Sequence, residues 1–218
     1  MSIRNYLATF LALLSLAYGS TAMAQSITLD TGLTPASSSF RGQMFDVSAT
    51  NSITVTSFSV QFGTTGAGAV RVWGRPGTHV GFETNQTGWT LLGAGTTTGG
   101  SLQAIALTTT PSISAGQTYA FHIEGDSTLF YRTPPVGTAL GGTIASDANV
   151  AIRAGQGLQG AFSANRVSPR ALAGSMTYSL PVTAAPVPTL SQWALILFGA
   201  ILAGGAALYV QRRRGIEA

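Results

Sequence analysis

The middle of the chain alternates between apolar and polar residues with a period of two, the pattern typical of half-buried β-strands. Apolar residues stand at odd positions in Ile53 and Val55, but at even positions from 58 to 62. A strand cannot move its apolar residues to the opposite face unless an extra residue is inserted. The sequence therefore predicts a β-bulge or bend around Thr56-Ser57.

Other short apolar or alternating segments predict further strands, separated by turns rich in Gly and Pro. They are residues 26–29, 40–47, 70–73, 89–93, 102–107, 117–123, 129–132, 149–153 and 175–180. Many short strands with few helix signals predict an all-β fold, an antiparallel β-sandwich of the jelly-roll kind. We expect this sandwich to form a single ectodomain over residues 25–180.

Both ends of the chain depart from the alternating pattern. At the N-terminus Arg4 precedes an apolar stretch over residues 6–18, and Ala22-Met23-Ala24 follows before Gln25. A basic start, a short apolar run and an A-x-A site are the three parts of a secretory signal peptide. We expect residues 1–24 to be removed on export, and we exclude them from the fold.

The C-terminal end carries an uncharged apolar run over residues 193–210, followed by Arg212, Arg213 and Arg214. About 18 apolar residues are enough for a helix to cross the hydrocarbon layer, and flanking arginines favour the cytoplasmic side. Trp193 and Tyr209 stand at the two rims, where amphipathic rings prefer to lie. The sequence predicts a transmembrane helix with a basic stop; the alternative is a buried core helix with a basic cap.

The segment before this run contains a recognisable motif. Val187, Pro188, Thr189, Leu190 and Ser191 precede Trp193, and the chain resembles the IPTL-CTERM family of bacterial C-terminal sorting tails. It departs from the family pattern at Val187, where Ile is usual. The resemblance implies an exosortase-type membrane transpeptidase as partner, which would cut near the motif and pass the protein to the surface. The alternative is a plain transmembrane anchor that is never cleaved.

These assignments divide the chain and set its expected location. Residues 181–186, which hold two prolines, predict a stiff linker, residues 187–214 the sorting tail, and residues 215–218 a cytoplasmic end. We expect an exported protein, anchored in a bacterial membrane with its ectodomain outside the cytoplasm. The region from Met44 through Gly81 and Trp89 to Tyr119 also resembles a β-sandwich module of bacterial surface proteins, a resemblance that implies no catalytic residues.

Charge and composition bear on the partners and the chemistry that we expect. The net charge of +4 and the pI near 10.0 suggest a nucleic-acid partner. However, Arg4 and the three tail arginines supply four of the 11 basic residues, and the ectodomain keeps seven against six acidic residues. Its arginines are scattered, so we expect no nucleic-acid binding. Lysine and cysteine are absent; we therefore expect no lysine-based chemistry, and a fold that depends on its hydrophobic core alone.

Few residues suggest catalysis. His122, Glu124 and Asp126 share one face of a predicted strand and could hold a metal, but we expect a solvated strand face that runs into a turn. His79 lies in a Gly-rich loop without acidic neighbours in sequence, and no Gly-x-Ser-x-Gly motif is present. We therefore expect no catalytic residue, no metal site, no cofactor and no enzymatic activity.

One group of side chains suggests a binding surface. Arg71, Trp73 and Arg75 share a parity opposite Val70 and Val72. If the valines point inward, a Trp flanked by arginines faces outward, a combination favoured at interaction sites. The alternative is that Trp73 belongs to the sandwich core.

Two functions follow. The first is a non-enzymatic cell-surface or extracellular-matrix protein, targeted by its tail. The second is an anchored binding module for a polysaccharide or a protein partner, with Trp73, Trp89 or Tyr131 as the rings that contact a surface glycan.

Overall fold

The computed structural model describes residues 24–36, 39–63, 68–181 and 190–214, with side chains in the last range from Trp193 onward. Its strands are β1 (Ser26–Asp30), β2 (Gly42–Ala49), β3 (Ile53–Phe62), β4 (Gly68–Pro76), β5 (Thr90–Thr97), β6 (Leu102–Ala106), β7 (Ser112–Ile113), β8 (Thr118–Gly125), β9 (Leu129–Phe130), β10 (Thr143–Ser146), β11 (Val150–Arg153), β12 (Gly155–Leu158), β13 (Arg166–Arg170) and β14 (Gly174–Ser179). One helix, α1 (Leu190–Arg214), follows them. The strands lie in one compact unit, Ala24–Pro181, and α1 belongs to another. Residues 1–23 of the predicted signal peptide, most of the predicted linker and the cytoplasmic end fall outside the described residues.

The strands form two antiparallel sheets. The first has the order β1-β14-β3-β6, with β7 and β9 also paired to β3. The second has the order β10-β11-β2-β8-β4-β5, and β12 and β13 extend it beside β2. The predicted all-β sandwich with one C-terminal helix is confirmed.

The predicted bulge lies on β3, where the apolar parity changes. Ser57 pairs with Thr177 and Val55 pairs with Tyr178, so Thr56 is the extra residue. Its hydroxyl donates a hydrogen bond to the carbonyl of Thr177 at 3.1 Å. On both sides of the bulge the apolar side chains of β3 are buried and the polar ones are only partly buried. The bulge therefore lets all five apolar side chains of β3 enter the same core.

The core lies between the two sheets and is centred on three phenylalanines. Phe58 of the first sheet contacts Phe45 and Phe121 of the second, at ring-centre distances of 5.7 Å and 4.9 Å. All three rings are fully buried. Edge-to-face contacts of this kind add to the free energy gained from burial alone. The contact fixes the packing of one sheet on the other.

Four short strands were missing from the sequence prediction: β7, β10, β12 and β13. β12 contains two glycines and β13 contains Pro169, and both residue types are depleted in strands. Yet Gly155 is required where β12 meets β2, since a Cβ there would lie 1.8 Å from the carbonyl oxygen of Met44. Here close backbone contact selects a residue that propensity argues against.

Other predicted bounds also differ from the structure. β4 extends to Pro76 and β5 to Thr97, three and four residues beyond their predicted ends. The predicted strand at 129–132 is a two-residue strand, β9, followed by isolated bridges from Tyr131 to Ala36 and from Arg132 to Ala171.

Candidate functional site

The C-terminal helix is apolar and fully accessible. Residues Trp193–Arg214 have a mean hydropathy of 2.0 over their most apolar window, and none of that window is buried within the protein. By length and composition this helix can cross a membrane. Every described side chain of α1 is exposed, so the alternative of a buried core helix is wrong.

The sorting motif spans the start of α1. The helix begins at Leu190, and Trp193, the last motif residue, lies in its first turn with 43% of its surface exposed. Val187, Pro188 and Thr189 lie outside the described residues, and no side chain is described for Leu190 or Ser191. The motif therefore ends inside the helix rather than before it.

The basic stop forms the last turn of α1. Arg212, Arg213 and Arg214 are exposed there, and the Arg213 guanidinium lies 5.5 Å from the ring centre of Tyr209. Cations at a helix C-terminus also complement its dipole. An aromatic ring beside a basic cluster is the combination found at the boundary between lipid and water.

A second hydrophobic cluster covers the outer face of the larger sheet, the face turned away from the core between the sheets. We call it the outer cluster, and it comprises Met44, Trp73, Trp89, Ala120, Leu158 and Phe162. Its rings pack edge to face: Trp73 and Trp89 each lie 5.7 Å from Phe162. The loops 77–89 and 159–165 carry Trp89 and Phe162 over the sheet. This face of the sheet is therefore packed rather than open to solvent.

The predicted binding residues Arg71, Trp73 and Arg75 do share this outer face, and Val70 and Val72 are buried in the main core. The indole N–H of Trp73 donates to Glu124 Oε1 at 3.3 Å, and Arg71 Nη1 lies 3.4 Å from the same oxygen. Trp73 is half-buried, so it belongs to the outer cluster and not to the main core.

Arg75 is engaged by the loop above it. Its guanidinium lies 3.2 Å from the ring centre of Phe82, and Nη1 donates to the carbonyl of Thr78 at 3.0 Å. Arg71, Trp73 and Arg75 thus each have a partner within the protein. Their proposed contact with an external partner stays a prediction.

His122 is not on a solvated strand face, and that expectation is wrong. Its side chain is fully buried beneath Trp89 and Phe162, whose ring centres lie 6.1 Å and 5.0 Å away. Burial, together with the nearby His79, lowers the pKa of His122 to about 3. Glu124 is also buried, whereas Asp126 is exposed and accepts the Ala69 N–H at 2.9 Å. The three side chains of the predicted ligand set therefore lie in different environments.

A buried hydrogen-bonded pair near His122 was missed by the sequence analysis. Asp46 Oδ1 lies 2.7 Å from His79 Nδ1 and accepts the His79 backbone N–H at 2.9 Å, while Thr78 donates its hydroxyl to Oδ2 at 2.6 Å. Burial alone would raise the pKa of Asp46, but the hydrogen bonds and charge of His79 and the Thr78 hydroxyl hold it below its ordinary value. The partners are 33 residues apart in sequence, so no local spacing could indicate the pair.

This geometry fixes a loop rather than assembling a catalytic relay. The Thr78 hydroxyl points to Asp46 and not to His79, whose Nε2 is buried without a hydrogen-bond partner among the described residues. Glu83, in the same loop, accepts from Gln156 Nε2 at 2.9 Å and from the Gly81 N–H at 2.9 Å. Within the described residues, no group of three or more His, Asp or Glu side chains is placed to hold a metal. Asp46 and Glu83 therefore tie loop 77–89 to the sheet.

Two of the three rings predicted to contact a glycan are largely covered. Trp89 is 7% exposed and Tyr131 is 6% exposed. Trp89 donates its indole N–H to the carbonyl of Phe82 at 3.3 Å. Stacking a sugar on either ring needs an open face, which neither ring provides.

The comparisons with known proteins identify the tail alone. Residues 185–214 match the IPTL-CTERM motif. A search of curated proteins found no match to the chain. The match begins two residues before the predicted motif and ends at Arg214, so it covers the motif, α1 and the three arginines. The chain therefore carries a C-terminal sorting signal of the kind found on surface proteins.

Proposed function

We propose that this protein is a non-enzymatic cell-surface or extracellular-matrix protein, delivered by its tail. An exosortase-type transpeptidase cuts near residues 187–193 and transfers the β-sandwich to the cell surface. The observation that carries this proposal is the match of residues 185–214 to the IPTL-CTERM motif. The exposed apolar helix and its terminal arginines support it.

The order of these parts suggests how the tail works. The three arginines hold the C-terminal end of α1 in the cytoplasm, so that Leu190 and the motif lie at the opposite membrane face. Pro186 and Pro188 favour an extended backbone before the helix, since proline fixes φ and restricts the preceding residue. An extended segment held at the membrane face is accessible to a membrane-bound transpeptidase. The helix is then a temporary anchor, as in a glycolipid-anchor signal.

The sandwich contributes a passive domain in this proposal. Its buried acidic groups, Asp46 and Glu83, are used to hold loop 77–89, and His122 is neutral and enclosed. Ser and Thr are the commonest residues at the exposed positions of the strands, as at Ser26, Thr28, Thr90 and Thr96. Such a domain suits a structural role outside the cell.

Cell fractionation tests the proposal with the triple variant Pro188→Ala, Thr189→Ala and Leu190→Ala. We expect the wild-type protein to lose the mass of its tail and leave the membrane fraction, and the variant to keep both its mass and its membrane location. The matched control is Val182→Ala with Thr183→Ala, in the same linker but outside the motif, which we expect to behave as wild type. Equal size and location for wild type and triple variant would show that the tail is a permanent anchor.

A further inference from the structure

A polar groove on the β-sandwich lies apart from the outer cluster. It has a volume of about 680 Å³, within the range of about 300 to 1,000 Å³ typical of small-molecule sites. Its lining residues are Ala36, Ser39, Phe40, Tyr131, Arg132, Thr133 and Arg170. Two cations, two aromatic rings and two aliphatic hydroxyl groups therefore surround one space, and none of its described lining residues carries a carboxylate.

The two guanidinium groups of the groove are not neutralised. Among the described residues, the only contact between an arginine and a carboxylate is that of Arg71 with Glu124, at 3.4 Å. Arg170 Nη1 donates to the carbonyl of Pro169 at 2.8 Å, which carries no formal charge. Arg132 is exposed and is held in position by its backbone pairing with Ala171. Both cations can therefore accept an anionic partner.

The acidic residues of the sandwich all accept hydrogen bonds at other places in the fold. Each accepts a hydrogen bond from a fixed donor of the fold: Asp30 from Gly32, Asp46 from His79, Glu83 from Gln156, Glu124 from Trp73, Asp126 from Ala69 and Asp147 from Tyr178. The near balance of charge in the sandwich thus conceals a local excess of positive charge at the groove.

The walls of the groove fit a sugar better than a bare ion. The Arg170 guanidinium lies 5.7 Å from the ring centre of Tyr131, a buried and therefore fixed wall. Half-buried Phe40 offers an apolar surface for the C–H groups of a sugar ring, and Ser39 and Thr133 offer hydroxyl groups. Arginine binds carboxylates through paired N–H groups, which fixes orientation as well as charge.

We propose that this groove binds a carboxylated oligosaccharide, a chain that contains uronic acid, through Arg132 and Arg170. The charges attract and orient the carboxylates, while Phe40, Ser39 and Thr133 contact the sugar ring. This site replaces the covered Trp89 and Tyr131 as the glycan-binding surface that we assign to the sandwich.

The test is calorimetric titration of the full-length protein, in neutral detergent, with trigalacturonate. We expect saturable binding that weakens as salt rises. Arg132→Gln with Arg170→Gln should weaken it by at least about tenfold, since each substitution removes a charge-assisted pair. Arg132→Lys with Arg170→Lys should fall between the two, because lysine keeps the charge but lacks the planar fork. The matched control Arg166→Gln removes one charge from the same strand as Arg170, outside the groove, and should change the affinity by less than about twofold.

Three further titrations define the ligand. Maltotriose, a neutral trisaccharide, should not bind detectably, and galacturonate monomer and inorganic sulfate should each bind more weakly than trigalacturonate. Equal affinity for maltotriose would overturn the role of the arginines, and equal affinity for sulfate would overturn the role of the sugar. Absence of trigalacturonate binding to the wild-type protein, or unchanged affinity in Arg132→Gln alone with an unchanged unfolding temperature, would also overturn the proposal.

Discussion

The β-sandwich and the C-terminal helix place their apolar residues in opposite environments. The sandwich encloses Phe45, Phe58 and Phe121 between two sheets, whereas α1 leaves every described side chain exposed. Soluble proteins rarely expose a large continuous apolar surface without a partner to cover it. The sandwich supplies its own apolar surroundings, and the helix requires those of a membrane. The two regions therefore have different roles. The helix indicates where the protein goes, and the sandwich is the part that is delivered there.

The largest expected effect comes from separating the two regions. A chain that ends at Pro181 should be found entirely in the soluble exported fraction, because no described apolar helix remains to hold it in the membrane. We expect the sandwich to unfold at nearly the same temperature as in the full-length protein, measured by circular dichroism. Aggregation of the truncated chain, or its persistence in the membrane fraction, would contradict this division.

The sequence predicts the two regions unequally, and the reasons are physical. Parity along β3 was enough to predict the bulge at Thr56, because one buried face determines where each apolar side chain must point. The tail was predicted from length, composition and motif, none of which depends on tertiary contacts. The predicted exposure of His122 was wrong because alternation separates the two faces of a sheet but does not indicate which face a loop will cover. The pairing of Asp46 with His79, and the placement of Arg132 and Arg170 around one groove, arise only when distant segments meet.

Within the sandwich, the largest effect of a single substitution should come from Phe58→Ala. Phe58 contacts Phe45 and Phe121 and is fully buried, so its removal leaves a cavity between the sheets. We expect a loss of about 3 to 5 kcal/mol in the free energy of unfolding, measured by denaturant titration. The location of the protein after fractionation should not change while the sandwich remains folded. The matched control Phe82→Ala, at a 38% exposed ring outside the core, should lose much less, and equal losses would contradict the assigned core.

Within the helix, Leu202→Arg should weaken insertion of α1 into the membrane and leave the folding of the sandwich unchanged. Leu202 lies near the centre of the apolar run, where an arginine costs about 2.5 to 3.5 kcal/mol on insertion. We expect a larger fraction of the chain that still carries its tail to lie outside the membrane after fractionation, with the unfolding temperature of the sandwich unchanged. Leu202→Ala provides the control for the loss of the side chain. An unchanged membrane fraction for the arginine variant would argue against a helix centred on this residue.

The effect that is smallest near neutral pH is a pH dependence that only the sandwich should show. The pKa of His122 is about 3 in the folded protein, against an ordinary value of 6.5, because burial disfavours the charged ring. The unfolded chain therefore binds more protons than the folded one between these values. The contribution of His122 to stability should be complete above pH 6.5 and decline by up to about 1.4 kcal/mol per pH unit as the pH falls toward 3.

The variant His122→Gln isolates this contribution, since glutamine stays neutral throughout the range. We expect a shallower decline of unfolding free energy below pH 6.5 than in the wild-type protein. Asp46, whose pKa is also lowered, should add a further decline in both proteins below its ordinary value of 3.8. The same slope in variant and wild type between pH 6.5 and 4 would show that His122 is not enclosed as described.

The sorting proposal depends most on whether the tail is removed. The intact mass of the protein recovered from the cell surface measures this removal directly. We predict a chain that begins at Gln25 and ends before the three arginines of α1, with the β-sandwich complete. Surface protein that still contains Arg212, Arg213 and Arg214, or a full-length chain in the cytosol with residues 1–24 attached, would contradict it.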